Sequence, residues 1–155
     1  MGFDNGTLAR KYITELWGKG NLALIDELVD DSIKLSDPIT KKTEGKAAVK
    51  AHLERMGKEL SESSIAIDEI TVAGDVVVVR EKWSGVHKGD FFGVPAAGKR
   101  VTCDAVDWLR FKDGKVVEDY SYFDLYEVFQ QLGAAPSPEQ FKSAKPEAAA
   151  KTARA

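Results

Sequence analysis

With 155 residues and a net charge of −3, the chain fits one domain whose folding hides roughly two-thirds of its unfolded surface, enough for a core and a pocket. The balanced charge, with no basic block, argues against a nucleic-acid partner; no apolar run is long enough to span a membrane, and residues 1–5 lack the basic and apolar regions of a signal peptide. The single Cys103 cannot form an internal disulfide and no Cys/His cluster has metal-ligand spacing, so a cytoplasmic protein with no metal and no cofactor is the expectation.

Leu8, Tyr12, Ile13, Leu16 and Trp17 recur at helical spacing and predict an amphipathic helix over residues 5–17, stopped by Gly18-Lys19-Gly20. Asn21 suits the N-cap of a short second helix from Leu22 to Val29. Ile33 to Leu35 reads as a brief strand closed by Asp37-Pro38, because proline disfavours helix in the residue before it. Val49, Leu53, Met56 and Leu60 mark a third helix. Strand patterns follow at Ile65, Ile67 and Ile70, and then from Val76 to Val86. Residues 87–99 form a glycine-rich connection. Strands over Arg100–Phe111 and Lys115–Tyr122 flank Asp113-Gly114, a strong hairpin signal. Asp124-Leu125-Tyr126-Glu127 has the pattern of a capping box for a last short helix, ended by Gly133. Residues 134–155, rich in Pro, Ala and Lys, read as a tail with little capacity to form a core.

Helices first and long antiparallel strands afterwards describe an α+β domain over residues 5–133, with N-terminal helices packed on a curved, mostly antiparallel mixed sheet. A sheet covered on only part of its concave side bends into a cone, and the mouth of a cone is a natural small-molecule pocket. Aromatic side chains on the strands, Trp83, Trp108, Tyr120 and Tyr122, together with Phe91 and Phe92, are candidates to line a flat apolar slot; core or a dimer interface is the plainer reading of the same residues.

Three local contexts carry polar groups: Arg10-Lys11-Tyr12-Ile13 on the first helix, Leu35-Ser36-Asp37-Pro38 after the short strand, and Ala105-Val106-Asp107-Trp108-Leu109-Arg110-Phe111 on a late strand. They resemble the catalytic set of ketosteroid isomerases. The second half, with His87-x-Gly89-x-Phe91-x-Gly93-Val94-Pro95, Gly98-Lys99, Asp113-Gly114-Lys115-Val116 and Gln130-Gln131-Leu132-Gly133, resembles the SnoaL-like polyketide cyclases of the nuclear transport factor 2-like superfamily. That resemblance implies a cystatin-like cone, a homodimer, and aldol ring closure or related chemistry without metal or cofactor. The cyclases' acid/base pair, a His on the late strand and an Asp on the last strand, is replaced here by Asp107 and Ser121.

The resemblance therefore implies a proton abstraction next to a carbonyl. Asp37 would be the base, and Tyr12 with a neutral Asp107 would hold the enolate oxygen. Each residue also has a plain structural reading. Asp37 suits a turn before Pro38, and Tyr12 suits a core tyrosine. Asp107, which shares a face with Cys103, Ala105 and Leu109, is costly there unless protonated or paired. His87 is a candidate acid/base at the pocket mouth or a solvated loop histidine, and His52 reads as structural. Ser121, Phe91, Tyr120, Trp83 and Asp124 are candidate substrate contacts, with the N-cap the favoured reading of Asp124. Val77, Val79 and Trp83 are candidates for an outer dimer face. The expected ligand is a small apolar carbonyl compound, isomerised or cyclised. The rival is a non-catalytic binding or dimerisation module of the same fold, and water addition or epoxide opening, through Arg80 or Arg110, is the weakest reading.

Overall fold

The structure, a computed structural model, describes residues 3–143. The predicted tail and the N-terminal start therefore lie partly outside the described residues. Helix α1 spans Asn5–Lys11, capped by the Asp4 carboxylate, which accepts from the Thr7 N–H. It runs on as a π-helical segment over Tyr12–Gly18, where one continuous α-helix was expected. Wider winding of this kind is unusual and recurs at functional sites. Here it sets Tyr12 edge-on to Trp17, five residues on, with ring centroids 6.1 Å apart.

Asn21 caps the next element as predicted, accepting from Ala23 N–H, and a 3-10 turn Leu22–Leu24 leads into α2, Ile25–Leu28. Strand β1 covers Val29–Asp37, longer than the brief strand the sequence suggests, and pairs with a short β2, Lys41–Glu44, that the pattern does not signal. Helix α3 is Lys46–Glu59. Then come β3 (Leu60–Ala73), β4 (Val76–His87), β5 (Arg100–Lys112) and β6 (Lys115–Phe123), and the short helices α4 (Leu125–Gln131) and α5 (Pro138–Ser143). Asp113 and Gly114 both take positive φ, as the tight hairpin between β5 and β6 requires.

The six strands form one sheet in the order β2-β1-β6-β5-β4-β3, with β1 parallel to β6 and every other pair antiparallel. Register shifts in β3 after Ser61 and after Ile67, in β1 between Val29 and Lys34, and at Arg110/Phe111 bend the strands. Such bulges increase local twist and curl a sheet into an open cone. The concave face buries two apolar clusters. One, beneath α1 and the π segment, gathers Tyr12, Ile13, Leu16, Val49, Val77, Val79 and Leu109. The other, beneath α4, gathers Leu60, Phe91, Val101, Cys103, Val128 and Leu132.

Strand parity corrects the proposed outer face. Val77 and Val79 are fully buried on the concave side, because Val79 stands opposite Asp107 and Val77 opposite Leu109, both inward. The convex side presents Val106 and Tyr122 as exposed apolar residues instead, with Trp108 packed on Tyr120 at 5.6 Å.

Candidate active site

Between the two apolar clusters lies a cavity, part of it open to solvent. It is walled by alternate residues of β4, β5 and β6, by the end of β1, and by α3, α4 and the π segment. Its two ends differ in chemistry.

The polar end is a set of carboxyls. In β4 the inward series is Val77, Val79, Glu81 and Trp83; in β5 it is Cys103, Ala105, Asp107 and Leu109; in β6 it is Asp119, Ser121 and Phe123. The pairing puts Asp107 directly across from Ser121, and Asp119 one step along, across from Leu109. Glu81, Asp107 and Asp119 are each at most 5% exposed. No cation reaches them among the described salt bridges. Burial is accordingly the main cause that pushes Asp107 up to about 6 and Glu81 up to about 9. The Ser121 hydroxyl and Glu81 oppose the rise at Asp107 by hydrogen bonding, while the Asp107 charge adds to the rise at Glu81. Asp119 is raised well above the usual carboxylate range by burial and then by Asp107. Asp107 thus ionises before Glu81, and burial pushes Asp119 toward its protonated form. One oxygen of each acid, Asp107 Oδ2, Asp119 Oδ1 and Glu81 Oε2, has no hydrogen-bond partner.

The three residues of the isomerase-like set occupy less open positions than the sequence suggests. Tyr12 is fully buried, is not among the cavity's lining residues, and donates its hydroxyl proton to Asp119 Oδ2 at 2.6 Å. It supports Asp119 from behind and does not itself face the cavity. Asp37 does line the cavity, but its Oδ1 accepts from the Ile39 and Thr40 N–H groups at 2.6 and 2.7 Å, and its Oδ2 accepts from the Thr40 hydroxyl. Its oxygens are thus held by the turn at Pro38. His52, read as structural from sequence, is a lining residue with Nδ1 at 3.6 Å from Asp37 Oδ2 and its ring edge-on to Trp17. Burial pushes His52 down to about 4, against the pull of Asp37, so near neutral pH this contact is not an ion pair.

The other end is apolar. The chain leaves β4 at His87, and Gly89 crosses so close to α3 that an added Cβ would stand 2.4 Å from the Lys58 carbonyl oxygen. Lys88 and Gly89 N–H groups both donate to the Glu59 carbonyl there. Phe92 and Gly93 take positive φ in a tight turn that pairs Phe91 with Val94 and points Phe91 inward. His87 lines this end and is fully buried, not at a solvated mouth. Its Nδ1 accepts from the Ala97 N–H at 3.3 Å, and its Nε2 has no partner.

Of the candidate contacts, Ser121, Phe91 and Trp83 line the cavity. Tyr120 does not: it lies between the inward Asp119 and Ser121 and packs on Trp108 on the convex side. Asp124 is an exposed N-cap, accepting from the Glu127 N–H at 3.0 Å, and is outside this cavity. Arg80 and Arg110 are turned outward, into ion pairs with Asp68 and Asp75. Sequence reasoning missed Glu81 and Asp119. Both had a signal: Glu81 interrupts the inward valine series of β4, and Asp119 shares its parity with Ser121.

A family model described as SnoaL-like polyketide cyclase matches residues 7–132. Among curated proteins, the aklanonic acid methyl ester cyclase DauD of Streptomyces sp. (strain C5) is 29% identical over 97 residues, which is 62% of this chain and 53% of that protein. The chain spans about half the length of the curated relatives it matches. Among solved structures, AclR from Streptomyces galilaeus is 26% identical with a TM-score of 0.75, covering 94% of this chain and 95% of its own. TsrD from Streptomyces laurentii, 23% identical, superposes with a TM-score of 0.75 over 86% of this chain and 99% of its own, a likeness of fold.

Proposed function

Because the chain belongs to the SnoaL-like polyketide cyclase family, we propose that it is an acid/base enzyme acting on an apolar, polycyclic or polyketide-like ketone. It removes a proton from the carbon next to the carbonyl and gives aldol ring closure or isomerisation. The observation that carries this reading is Asp107: a buried carboxyl lining the cavity, with one oxygen unpartnered, next to acids that burial pushes toward their protonated forms. A general base works best when its pKa lies near the working pH, and about 6 meets that condition.

In the proposed step the C–H bond breaks and its proton passes to Asp107 Oδ2. The electron pair moves onto the carbonyl oxygen as an enolate. Neutral Asp119, positioned by the Tyr12 hydroxyl, donates a hydrogen bond to that oxygen, a contribution of about 3 kcal/mol for one well-placed donor. Asp107 then returns its proton to another carbon, which is isomerisation. Alternatively the enolate carbon attacks a second carbonyl and Asp107 protonates the new alkoxide, which is aldol closure. Side chains supply every proton in this scheme, so it calls on no cofactor. Relative to the roles implied by the isomerase resemblance, Asp107 moves from oxyanion donor to base, Asp119 takes the donor role, and Asp37 and Tyr12 hold the frame.

Binding of a planar naphthol, an enolate mimic, tests the donor. Wild type should bind it with an absorbance shift toward naphtholate, and Asp119→Ala should weaken binding at least about tenfold. Equal, weak binding by both proteins sinks the donor assignment. Tight ligand binding without any proton exchange leaves the rival reading, a binding module of the same fold.

A further inference from the structure

His87 is a cavity group that this chemistry leaves unused. It is held more firmly than a loop histidine. Its backbone N–H donates to the Lys99 carbonyl at 2.8 Å, its carbonyl accepts from Gly98 at 2.9 Å, and its ring Nδ1 accepts from Ala97. Phe91 stands edge-on to the ring at 6.3 Å. A nitrogen that accepts an N–H carries no proton of its own, so the imidazole proton is on Nε2. His87 lines the cavity, and this N–H is fully buried and without a partner. A buried donor left unsatisfied is costly and calls for an explanation.

We propose that His87 is a ligand-anchoring residue. Its Nε2–H holds a neutral acceptor oxygen (a second ketone, ester or quinone carbonyl) at the apolar end of the ligand, away from the carbon that loses its proton. Six residue steps along β4 lead from Glu81 to His87, about 20 Å of strand contour at most. The anchor therefore suits an extended, multi-ring ligand with acceptors near both ends. The walls around it, Leu60, Phe91, Val101 and Leu132, exclude water and strengthen a single hydrogen bond. Charge narrows the class further: the Asp37 and Asp107 carboxyls share the cavity and its Arg55 is paired with Glu59 at 3.1 Å, so the oxygen taken at His87 belongs to a neutral group rather than a carboxylate or phosphate.

The anchor rests on the cavity being the ligand site proposed above, and the test separates the two. Fluorenone and fluorene share a flat ring system and differ by one carbonyl oxygen. Wild type should prefer fluorenone about tenfold or more, and nitrogen NMR of the chain's two histidines should show one imidazole with its proton on Nε2 whose signal moves on fluorenone and not on fluorene. His87→Phe should erase the preference while fluorene affinity stays within about twofold. His87→Gln, which offers both an acceptor to Ala97 and a donor to the ligand, should restore part of it. An unchanged preference in His87→Phe, or a preference lost only in Asp119→Ala, overturns the anchor. So does an Nε2 signal unmoved by fluorenone, a readout that stands if His87→Phe does not fold. Exchange of the α-protons of β-tetralone into heavy water is followed in the same proteins. Exchange without a His87-dependent preference removes the anchor and keeps the acid/base reading; the preference without exchange does the reverse.

Discussion

Replacing Asp107 by Asn removes the proposed base and little else. The amide has nearly the same shape, still accepts a hydrogen bond from Ser121 or Glu81, and relieves the chain of a buried charge at a position only 5% exposed. Folding should therefore survive, with a melting temperature at pH 8 no lower than wild type. Activity should not: loss of a general base costs about 10²–10⁴ in rate, or about 3–5 kcal/mol of barrier. The assay is α-deuterium exchange on β-tetralone followed by NMR across pH 5–10. In wild type the rate should rise through about 6, as Asp107 loses its proton, and fall through about 9, as Glu81 loses the proton that supports it. These are apparent values of the interacting set. A folded Asp107→Asn variant that exchanges within about threefold of wild type, or a wild-type profile with no acidic limb, refutes Asp107 as the base.

Ser121→Ala should move the acidic limb upward, because the hydroxyl lowers Asp107; a limb that stays in place or moves down contradicts the contact. Asp37→Ala should keep that limb and move it slightly lower, since the Asp37 charge raises Asp107, while urea denaturation shows a loss of about 1–3 kcal/mol from the orphaned turn donors. Disappearance of the limb would return the base role to Asp37. Glu81 holds its proton more tightly folded than unfolded, so its stabilising effect is complete below about 4.5 and is lost as pH climbs through about 9. Wild-type stability should fall by up to about 1.4 kcal/mol per pH unit between pH 7 and 9 from this group alone. Glu81→Gln should flatten the decline; an equally steep melting-temperature slope in the variant excludes Glu81 as its source.

Helix and strand order was legible because each element carries its own periodicity, and the hairpin at Asp113-Gly114 needed only local turn chemistry. The motif His87-x-Gly89 was legible as a pattern but not as geometry: that Gly89 must pass under the Lys58 carbonyl is a contact with α3, thirty residues earlier in the chain. Facing was the harder matter. A strand offers two alternating sets, and nothing local says which one meets the core. Val77 and Val79 were read outward for that reason, and Tyr120 inward. The Asp107 face fixes the rest once pairing is known: across from Asp107 stand Val79 and Ser121, so Glu81 and Asp119 follow by parity. The π-helical turn that aims Tyr12 at Asp119 had no sequence signal at all, because its apolar spacing satisfies an α-helix equally well.

The carboxyl set bears on function through its cost. Three acids buried together without a cation are a poor way to build a core, and isosteric amides or apolar residues would pack there with less penalty. The chain offsets part of that penalty locally, with the Tyr12 hydroxyl on Asp119 and Ser121 on Asp107. It nevertheless leaves one oxygen of each acid buried without a partner. A purely structural cluster would close on itself and satisfy those oxygens. A binding module for apolar ligands would need one acid to orient its ligand, not three whose proton affinities are set apart. Acids of unequal pKa within reach of one carbonyl are what a proton shuttle needs, one to take the proton and another to hold the oxygen. On the proposed reading, the departure from the His/Asp pair that the resemblance implies moves the acid/base roles onto Asp107, Asp119 and Glu81, and removing all three carboxyl groups at once, in Glu81→Gln/Asp107→Asn/Asp119→Asn, should give a more stable and inactive protein.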